Sequence, residues 1–323
     1  MELLTSKKIK KHPKLSVELD CQGYAELHCI TNFSFLRGAS FPEEIVQRAN
    51  ELGYRAIAIT DECSVSGIVR AHMAAKNFGI KLIIGSEFIL NDGCHLVLLA
   101  ENKRGYSQIC NVITHARRQA KKGSYSIDKL TIKQFMLGDC VVLWIPDSLK
   151  KYKALARDAL WLKNKFNKKL WIAVELLLRG DDRYKLRLLE ELAAKSQIQL
   201  CAAGGVYMHD CDRRVLQDTV TAIRLTKRID ELGFDIESNG QRFLRPRKTL
   251  KKLYPVQLME STLQIAQKCC FSLDELTYEY PKELVPPRYT AFEWLSELTR
   301  IGIKQRWPKG VSKKVHRIIE HEL

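Results

Sequence analysis

The sequence predicts an α/β fold built as a closed or nearly closed barrel of β/α units. From about Tyr24, short β-type runs alternate with amphipathic helical stretches, a pattern typical of parallel strands joined by crossover helices. Roughly seven such units fit into about 200 residues, which favours a barrel over a two-layer sheet. Polar or small residues stand at or just beyond the predicted strand ends, where barrels collect their chemistry: His28, Asp61, Glu87 and Gly205. The same positions would also be polar if they did no more than end strands.

The predicted elements follow one another along the chain. Strands are predicted at residues 25–30, 56–60, 82–84, 95–99, 141–145, 171–176 and 200–203. Helices are predicted at residues 42–52, where Pro42 suits a first turn, and at 67–78, 106–119, 152–166 and 183–195. Beyond about residue 212 the pattern changes to helices and irregular links, with amphipathic stretches at 216–228 and 256–269.

The last part of the chain predicts a second domain. A proline-bearing acidic stretch at residues 278–287 is typical of a linker, so we expect a domain boundary there. Two further helices are predicted at residues 292–306 and 311–323. The second has no C-cap signal, and we therefore expect the chain to stop within a domain.

Composition limits the class of protein. With 323 residues, 46% of them hydrophobic, the chain can bury a large core and is not disordered. The ten cysteines lack paired metal-finger spacing, and Cys269 and Cys270 are adjacent, which predicts no disulfide framework and a cytoplasmic protein. No apolar run approaches the ~20 residues of a membrane span, so we expect no membrane partner. Residues 1–23 are predicted to be a basic tail, because they lack the apolar core of a signal peptide.

The formal charge of +16 is the bulk property that points to a partner. Excess Lys and Arg attract polyphosphate backbones, and this predicts weak, charge-driven binding to DNA. Basic clusters lie at residues 7–14, 117–122, 163–169 and 245–252. Each cluster alone would also fit a solvated face.

Two short motifs bear on metal chemistry. The segment around His28 has the frame of a His-x-His pair, which would place two imidazoles on one face of a strand. Ile30 occupies the second position and has no lone pair to donate to a metal. The second motif, an Asp-x-Asp at Asp210 and Asp212, is predicted to be a solvated turn that follows the barrel strands.

A resemblance to a known family rests on many ordered segments. They lie at residues 27–28, 31–34, 36–40, 60–63, 84–87, 95–102, 174–176, 178–182, 216–219 and 271–286. From about Tyr24 to Leu323 the chain resembles the polymerase and histidinol phosphatase (PHP) domain of bacterial C-family DNA polymerases, which are DNA polymerase III α-subunit-like. Most narrowly it is similar to their error-prone branch, which works in translesion synthesis during damage-induced mutagenesis.

The resemblance implies a set of metal-binding positions, most of them changed here. Ligands of the usual type remain at His28, Glu87 and His95, and a carboxylate replaces the usual histidine at Glu62. The family's metal ligands are lost at Ile30, Arg37, Gly205 and Tyr207, and a further family position falls near Ile145. PHP phosphoesterases need two or three metal ions to activate water and hold the phosphate. We therefore expect a metal-deficient PHP domain with a structural or platform role, no catalytic residue and no confident metal site in this chain.

The resemblance also implies how the chain is divided. The PHP domain with a helical C-terminal extension would occupy residues 24–277, and residues 278–323 would be a linker and the start of a polymerase palm. The palm acids that hold Mg²⁺ in the full-length polymerase would lie beyond Leu323. Expected partners are DNA, the rest of the polymerase chain and other replication or mutagenesis proteins. Two alternatives stay open: a non-catalytic binding remnant of a truncated gene, and a metal-dependent phosphoesterase.

Overall fold

The computed structural model describes residues 23–147, 150–277 and 284–323. The basic tail expected over residues 1–23 lies, apart from Gly23, outside the described residues, as does the basic cluster at 7–14. The chain divides into two compact units, the first reaching Leu276 and the second beginning at Thr277. Within the described residues no helix is both long and apolar enough to cross a membrane.

The first unit is a seven-stranded barrel wrapped by helices. Its strands follow chain order in one sheet: β1 (Ala25–Glu26), β2 (Ala56–Ile59), β3 (Lys81–Ile89), β4 (His95–Ala100), β5 (Cys140–Ile145), β6 (Leu170–Val174) and β7 (Gln199–Ala202). The sheet closes just beyond its first and last strands, where the amide of Ile30 donates to the carbonyl of Val206 and the amide of Val206 donates to the carbonyl of His28. The predicted α/β barrel of about seven strands is confirmed.

Helices cover the outside of the barrel and one of its ends. They are α1 (Pro42–Glu51), α2 (Ile68–Phe78), α3 (Lys103–Arg118), α4 (Lys129–Gln134), α5 (Tyr152–Phe166), α6 (Asp182–Ser196), α7 (Arg214–Leu225), α8 (Arg247–Leu253) and α9 (Val256–Lys268). Small and apolar side chains such as Ala58, Leu143 and Ala173 fill the interior. Ile265 and Ala266 of α9 join this interior cluster, and α9 contacts both β1 and β7.

The expectation that the strands are all parallel is wrong at one strand. β4 runs antiparallel to both of its neighbours, β3 and β5. Only the five residues 90–94 separate β3 from β4, which suffices for a hairpin but not for the crossover of a dozen residues that a parallel pair needs. The reversal brings the first residue of β4, His95, opposite Ile89 at the end of β3.

Several predicted bounds are also corrected. β1 is two residues long rather than six, because regular pairing stops at Glu26 and resumes only as a bridge between Cys29 and Val206. β3 is longer than expected, since its second half pairs with β4 instead of ending at residue 84. The short helices α4 and α8 were not predicted, because neither is long enough to give a clear periodic pattern.

The second unit contains α10 (Ala291–Arg306) and α11 (Lys313–Glu322). Thr290 begins α10 with a capping box, in which its hydroxyl accepts from the amide of Glu293 and its amide donates to the Glu293 carboxylate. Ser312 caps α11 through the amide of Val315. No described residue of either helix is buried.

Candidate functional site

Acidic and basic side chains converge at one end of the barrel. Glu87 lies near the end of β3, Glu175 directly follows β6, and His95 begins the reversed strand β4. His28 follows β1 and comes within hydrogen-bond distance of both glutamates. Glu87 and Glu175 are each less than 5% exposed, as is His28. Of the four predicted strand-end residues, His28 and Glu87 therefore meet directly, and both side chains are closed to solvent.

Glu26 sets the direction of His28. The amides of Leu27 and His28 both donate to Glu26 Oε1, each at 3.1 Å, and the amide of Gly204 donates to the same oxygen at 2.8 Å. Two consecutive amides cannot point to one acceptor in a regular strand, whose successive groups alternate. The chain therefore bulges after Glu26. Burial raises the pKa of the Glu26 carboxyl despite these three bonds, and the Tyr24 hydroxyl donates to its second oxygen.

His28 joins two glutamates through its two ring nitrogens. Nδ1 lies 2.7 Å from Glu175 Oε1, and Nε2 lies 2.6 Å from Glu87 Oε2. Burial alone would lower the pKa of His28, but the hydrogen bonds to Glu175 and Glu87 outweigh it and raise the pKa from 6.5 to about 10. The ring is therefore an imidazolium at neutral pH, and both nitrogens donate.

Arg37 provides a second cation beside Glu87. Its Nη1 donates to Glu87 Oε1 at 2.9 Å and also pairs with Glu62, whose other oxygen accepts from the Tyr125 hydroxyl at 2.9 Å. Burial would raise the pKa of Glu87, but His95, His28 and Arg37 together hold it well below its usual range. Both oxygens of Glu87 are thus occupied by protein donors.

Arg242 provides a third cation on the opposite side of His28. Its Nη1 lies 3.4 Å from Glu175 Oε2 and donates to the carbonyl of Gly205 at 2.9 Å. Its Nε donates to Glu237 at 2.6 Å, and its guanidinium lies 4.5 Å from the ring centroid of Tyr207. Despite burial, His28 and Arg242 hold the pKa of Glu175 far below its usual range.

Together these side chains form a row in which charge alternates in sign. Glu87 and Glu175 flank His28, each then contacts an arginine, and each arginine contacts a further glutamate. Arg179 pairs with the last glutamate, so acids and cations balance. We call this set the alternating charge row: Glu62, Arg37, Glu87, His28, Glu175, Arg242, Glu237 and Arg179.

Gly205 and Tyr207, where the resemblance implies lost metal ligands, both lie against the row. Gly205 has φ +55°, and a Cβ there would lie 2.5 Å from Arg242 Nη1 and 2.7 Å from the Glu175 carboxyl carbon. Its lack of a side chain makes room for Arg242. Tyr207 receives a hydrogen bond from Arg37 Nη2 at 3.3 Å. Ile30 is fully buried and contributes no polar atom.

The retained ligand types come together, but protein groups already contact their ligand atoms. Atoms of His28, Glu87 and His95 lie within 4.8 Å of one another, which is the spacing of a possible metal site. An imidazolium that donates from both nitrogens has no lone pair for a metal, and Glu87 already accepts from Arg37 and His28. The guanidinium of Arg37 would also repel a cation at this point.

Other sequence-predicted residues lie apart from the row or at its edge. Asp210 accepts from the amide of Asp212 at 3.2 Å and pairs with Arg48, as expected of a surface turn. His95 touches the row at its edge, with Nε2 3.3 Å from Glu87 Oε2 and its ring edge-to-face with that of His28, the centroids 5.5 Å apart. Sequence reasoning missed Glu175, Arg242 and Glu237 as site residues. Glu175 carried the same signal as Glu87, a carboxylate after a buried strand, whereas Arg242 lies in an irregular segment with no local signal.

Comparisons with known proteins agree on the class of domain. Residues 26–149 match the family model of the PHP domain. The chain is 50% identical over 300 residues to an error-prone DNA polymerase of Methylococcus capsulatus, covering 93% of this chain and 28% of that protein. It is 47% identical over 302 residues to an error-prone DNA polymerase of Pseudomonas fluorescens, covering 94% of this chain and 29% of the relative. The chain thus spans less than a third of the length of these curated relatives.

Among solved structures, an amidohydrolase from Chromobacterium violaceum is 15% identical, with a TM-score of 0.47, covering 58% of this chain and 88% of that one. A likeness this weak carries no argument about function.

Proposed function

We propose that this chain is an N-terminal portion of an error-prone DNA polymerase and that its PHP domain serves there as a metal-free scaffold. The observation that carries the proposal is the alternating charge row. Cationic side chains contact the carboxylates that would otherwise face metal ions. Both ring nitrogens of His28 donate hydrogen bonds to glutamates. In this proposal the cations of the row balance the charge of its carboxylates, so the barrel needs no bound metal for that purpose.

The scaffold role follows from what the row can and cannot do. Metal-assisted phosphoester hydrolysis needs an ion to lower the pKa of water and to hold phosphate oxygens. His28 and Arg37 offer positive charge, but neither can activate water as a Lewis acid, and His28 is closed to solvent. Buried, mutually satisfied ion pairs instead hold the segments that contribute them in one arrangement. We assign no hydrolytic step to this domain.

The activity proposed for the whole polymerase lies outside this chain. It is template-directed DNA synthesis of the error-prone, translesion type, with Mg²⁺ held by palm acids that do not belong to these residues. We assign residues 24–277 to the PHP domain with its helical extension, and residues 278–323 to the linker and the start of the palm. The split between Leu276 and Thr277 supports this division. The proposed partners are DNA, the rest of the polymerase chain and other replication or mutagenesis proteins, in the cytoplasm.

Metal analysis tests the scaffold proposal. The purified chain should carry far less than one equivalent of Mn²⁺, Zn²⁺ or Fe²⁺ by mass spectrometry, and EDTA should leave its Tm unchanged. It should not hydrolyse bis-p-nitrophenyl phosphate when Mn²⁺ is added. Stoichiometric metal together with a Tm that falls in EDTA would overturn the scaffold proposal and favour a metal-dependent phosphoesterase.

A separate measurement tests the polymerase assignment. The native protein should have an intact mass well above that of these 323 residues, and it should extend a primed DNA template in Mg²⁺. A native mass equal to that of this chain, with no extension, would instead support a non-catalytic binding remnant.

A further inference from the structure

A cleft of about 800 Å³ opens beside the alternating charge row. One wall is a turn formed by residues 33–37, which we call the aromatic turn. The opposite walls come from the end of α3 with the loop that follows it, and from the end of α7. Aromatic and cationic side chains dominate the lining: Phe33, Phe35, Tyr125, Arg37, Arg117 and Arg224.

The aromatic turn holds Phe35 out into solvent on a fixed backbone. Phe35 is 81% exposed, yet the residues around it are anchored. The Ser34 hydroxyl donates to the buried Asp61 at 2.7 Å, and Gln217 donates to the carbonyl of Arg37 at 2.7 Å. Leu36 adopts φ 59°, a left-handed conformation that costs a non-glycine residue about 1 kcal/mol or more. The turn thus presents a phenyl ring to solvent on an anchored backbone, at the mouth of the cleft.

The cleft has positive charge that the protein does not neutralise. Arg117 donates to the carbonyls of Cys63 and Glu62 at 3.2 and 3.3 Å, and no carboxylate among the described residues pairs with its guanidinium. Arg224 is exposed and makes no hydrogen bond or ion pair within the described part of the chain. Three further basic residues of the 117–122 cluster follow Arg117 in the chain and are exposed: Arg118, Lys121 and Lys122.

Glu62 is the acidic residue in the lining, and other protein groups already compensate its charge. It pairs with Arg37 and accepts from Tyr125, so it does not offset Arg117 or Arg224. The cleft therefore combines an exposed aromatic ring with a surplus of positive charge.

We propose that this cleft binds a short segment of single-stranded nucleic acid, with a base stacked on Phe35 and neighbouring phosphates on Arg117 and Arg224. Aromatic rings with adjacent cations are the means by which proteins hold single strands without regard to sequence. A base that stacks on Phe35 must be free of a pairing partner, so the proposal predicts a preference for a single strand over a duplex. The inference goes beyond the scaffold role, since the cleft needs neither a metal nor hydrolysis.

Fluorescence anisotropy with a labelled oligothymidylate tests the proposal on the 323-residue chain. A stacked base is worth about 1–3 kcal/mol, so Phe35→Ala should weaken binding by about 5- to 150-fold with little change in salt dependence. Arg224→Ala should reduce the slope of log K against log salt by about 0.7, the share of one phosphate on a single strand. Phe35→Trp should bind at least as tightly as the unchanged chain.

Matched controls lie outside the cleft. Phe234→Ala removes a fully exposed phenyl ring, and Arg228→Ala removes an exposed arginine that pairs with Asp230. Both should leave affinity within about twofold. Thermal unfolding of each variant confirms that the barrel is intact.

Four results would overturn the inference. The first three are unchanged affinity in Phe35→Ala, an equal loss in Phe234→Ala, and equal affinity for duplex DNA. The fourth is wild-type affinity in Phe35→Leu, which keeps the apolar contact but removes the ring, and that result would exclude stacking. Metal content and EDTA sensitivity are measured separately, so failure of this inference leaves the scaffold proposal standing.

Discussion

Replacing His28 by glutamine removes the central cation of the alternating charge row at nearly constant volume. Glu87 and Glu175, both buried, would then face each other across a neutral amide instead of an imidazolium. Breaking a buried ion pair by removing one partner typically costs about 3–5 kcal/mol, because the remaining charge stays buried without compensation. We therefore expect His28→Gln to lower the free energy of unfolding by about this amount at neutral pH.

The pKa of His28 gives the pH dependence of this effect. A folded-state pKa near 10 against an ordinary value of 6.5 corresponds to about 5 kcal/mol of stability when the ring is protonated in both states. Because the pKa is raised on folding, that stability is fully present below about pH 6.5, declines as pH rises, and is lost above about pH 10. The difference between the unchanged chain and His28→Gln should shrink over this interval.

Urea unfolding followed by tryptophan fluorescence measures both effects, since Trp144 and Trp171 are buried in the barrel. His95→Gln is the matched control, because the His95 side chain is 19% exposed and has one polar contact with the row, 3.3 Å to Glu87, besides its edge-to-face packing on His28. His95→Gln should lower the free energy of unfolding by less than about 1 kcal/mol. A His28→Gln cost below about 1 kcal/mol, or one that is constant between neutral and alkaline pH, would refute the imidazolium and with it the reading of the row.

Two further predictions concern the fit of Arg242 and the second unit. Gly205→Ala places a methyl group 2.5 Å from Arg242 Nη1 on a left-handed backbone and should lower the free energy of unfolding by about 2–5 kcal/mol, whereas Gly233→Ala, at a similar φ of 52° with no atom within 4 Å, should cost only the penalty of the left-handed backbone, about 1–2 kcal/mol. Equal losses of unfolding free energy for the two variants, measured in urea, would show that Arg242 does not need the space left by the missing side chain of Gly205. Limited proteolysis should cut beyond about Pro287 before it cuts the barrel, because α10 and α11 bury no described side chain. Equal resistance of both units would contradict this.

The barrel could be predicted because its strands carry a strong local signal. Runs such as residues 140–145 are apolar throughout and fully or nearly buried, as expected of strands covered on both sides. The direction of β4 could not be predicted from such a run, because a buried strand has the same composition in either direction. The five residues 90–94 between β3 and β4 indicate the reversal, because they are too few for a crossover between parallel strands.

The site was predictable where its residues end strands and unpredictable where they do not. His28 and Glu87 stood out because they lie at predicted strand ends, and the structure brings them together. Arg242 contributes as much charge to the row, but it reaches Glu175 across 67 residues of chain, from an irregular segment. Arginines are frequent on surfaces, so nothing local distinguished it. Gly205 is explained only once Arg242 is in place.

The alternating charge row also limits how this barrel can change by single substitutions. Replacing Arg37 with an aspartate, the residue type that the resemblance implies for a metal site, would set a new acid beside Glu62 and Glu87 with one cation fewer. Adding a side chain at Gly205 would collide with Arg242. Each first step toward a metal cluster thus meets a loss of stability before any ion can be held. A metal site at this end of the barrel would therefore require several coordinated substitutions, because each single one lowers the stability of the fold.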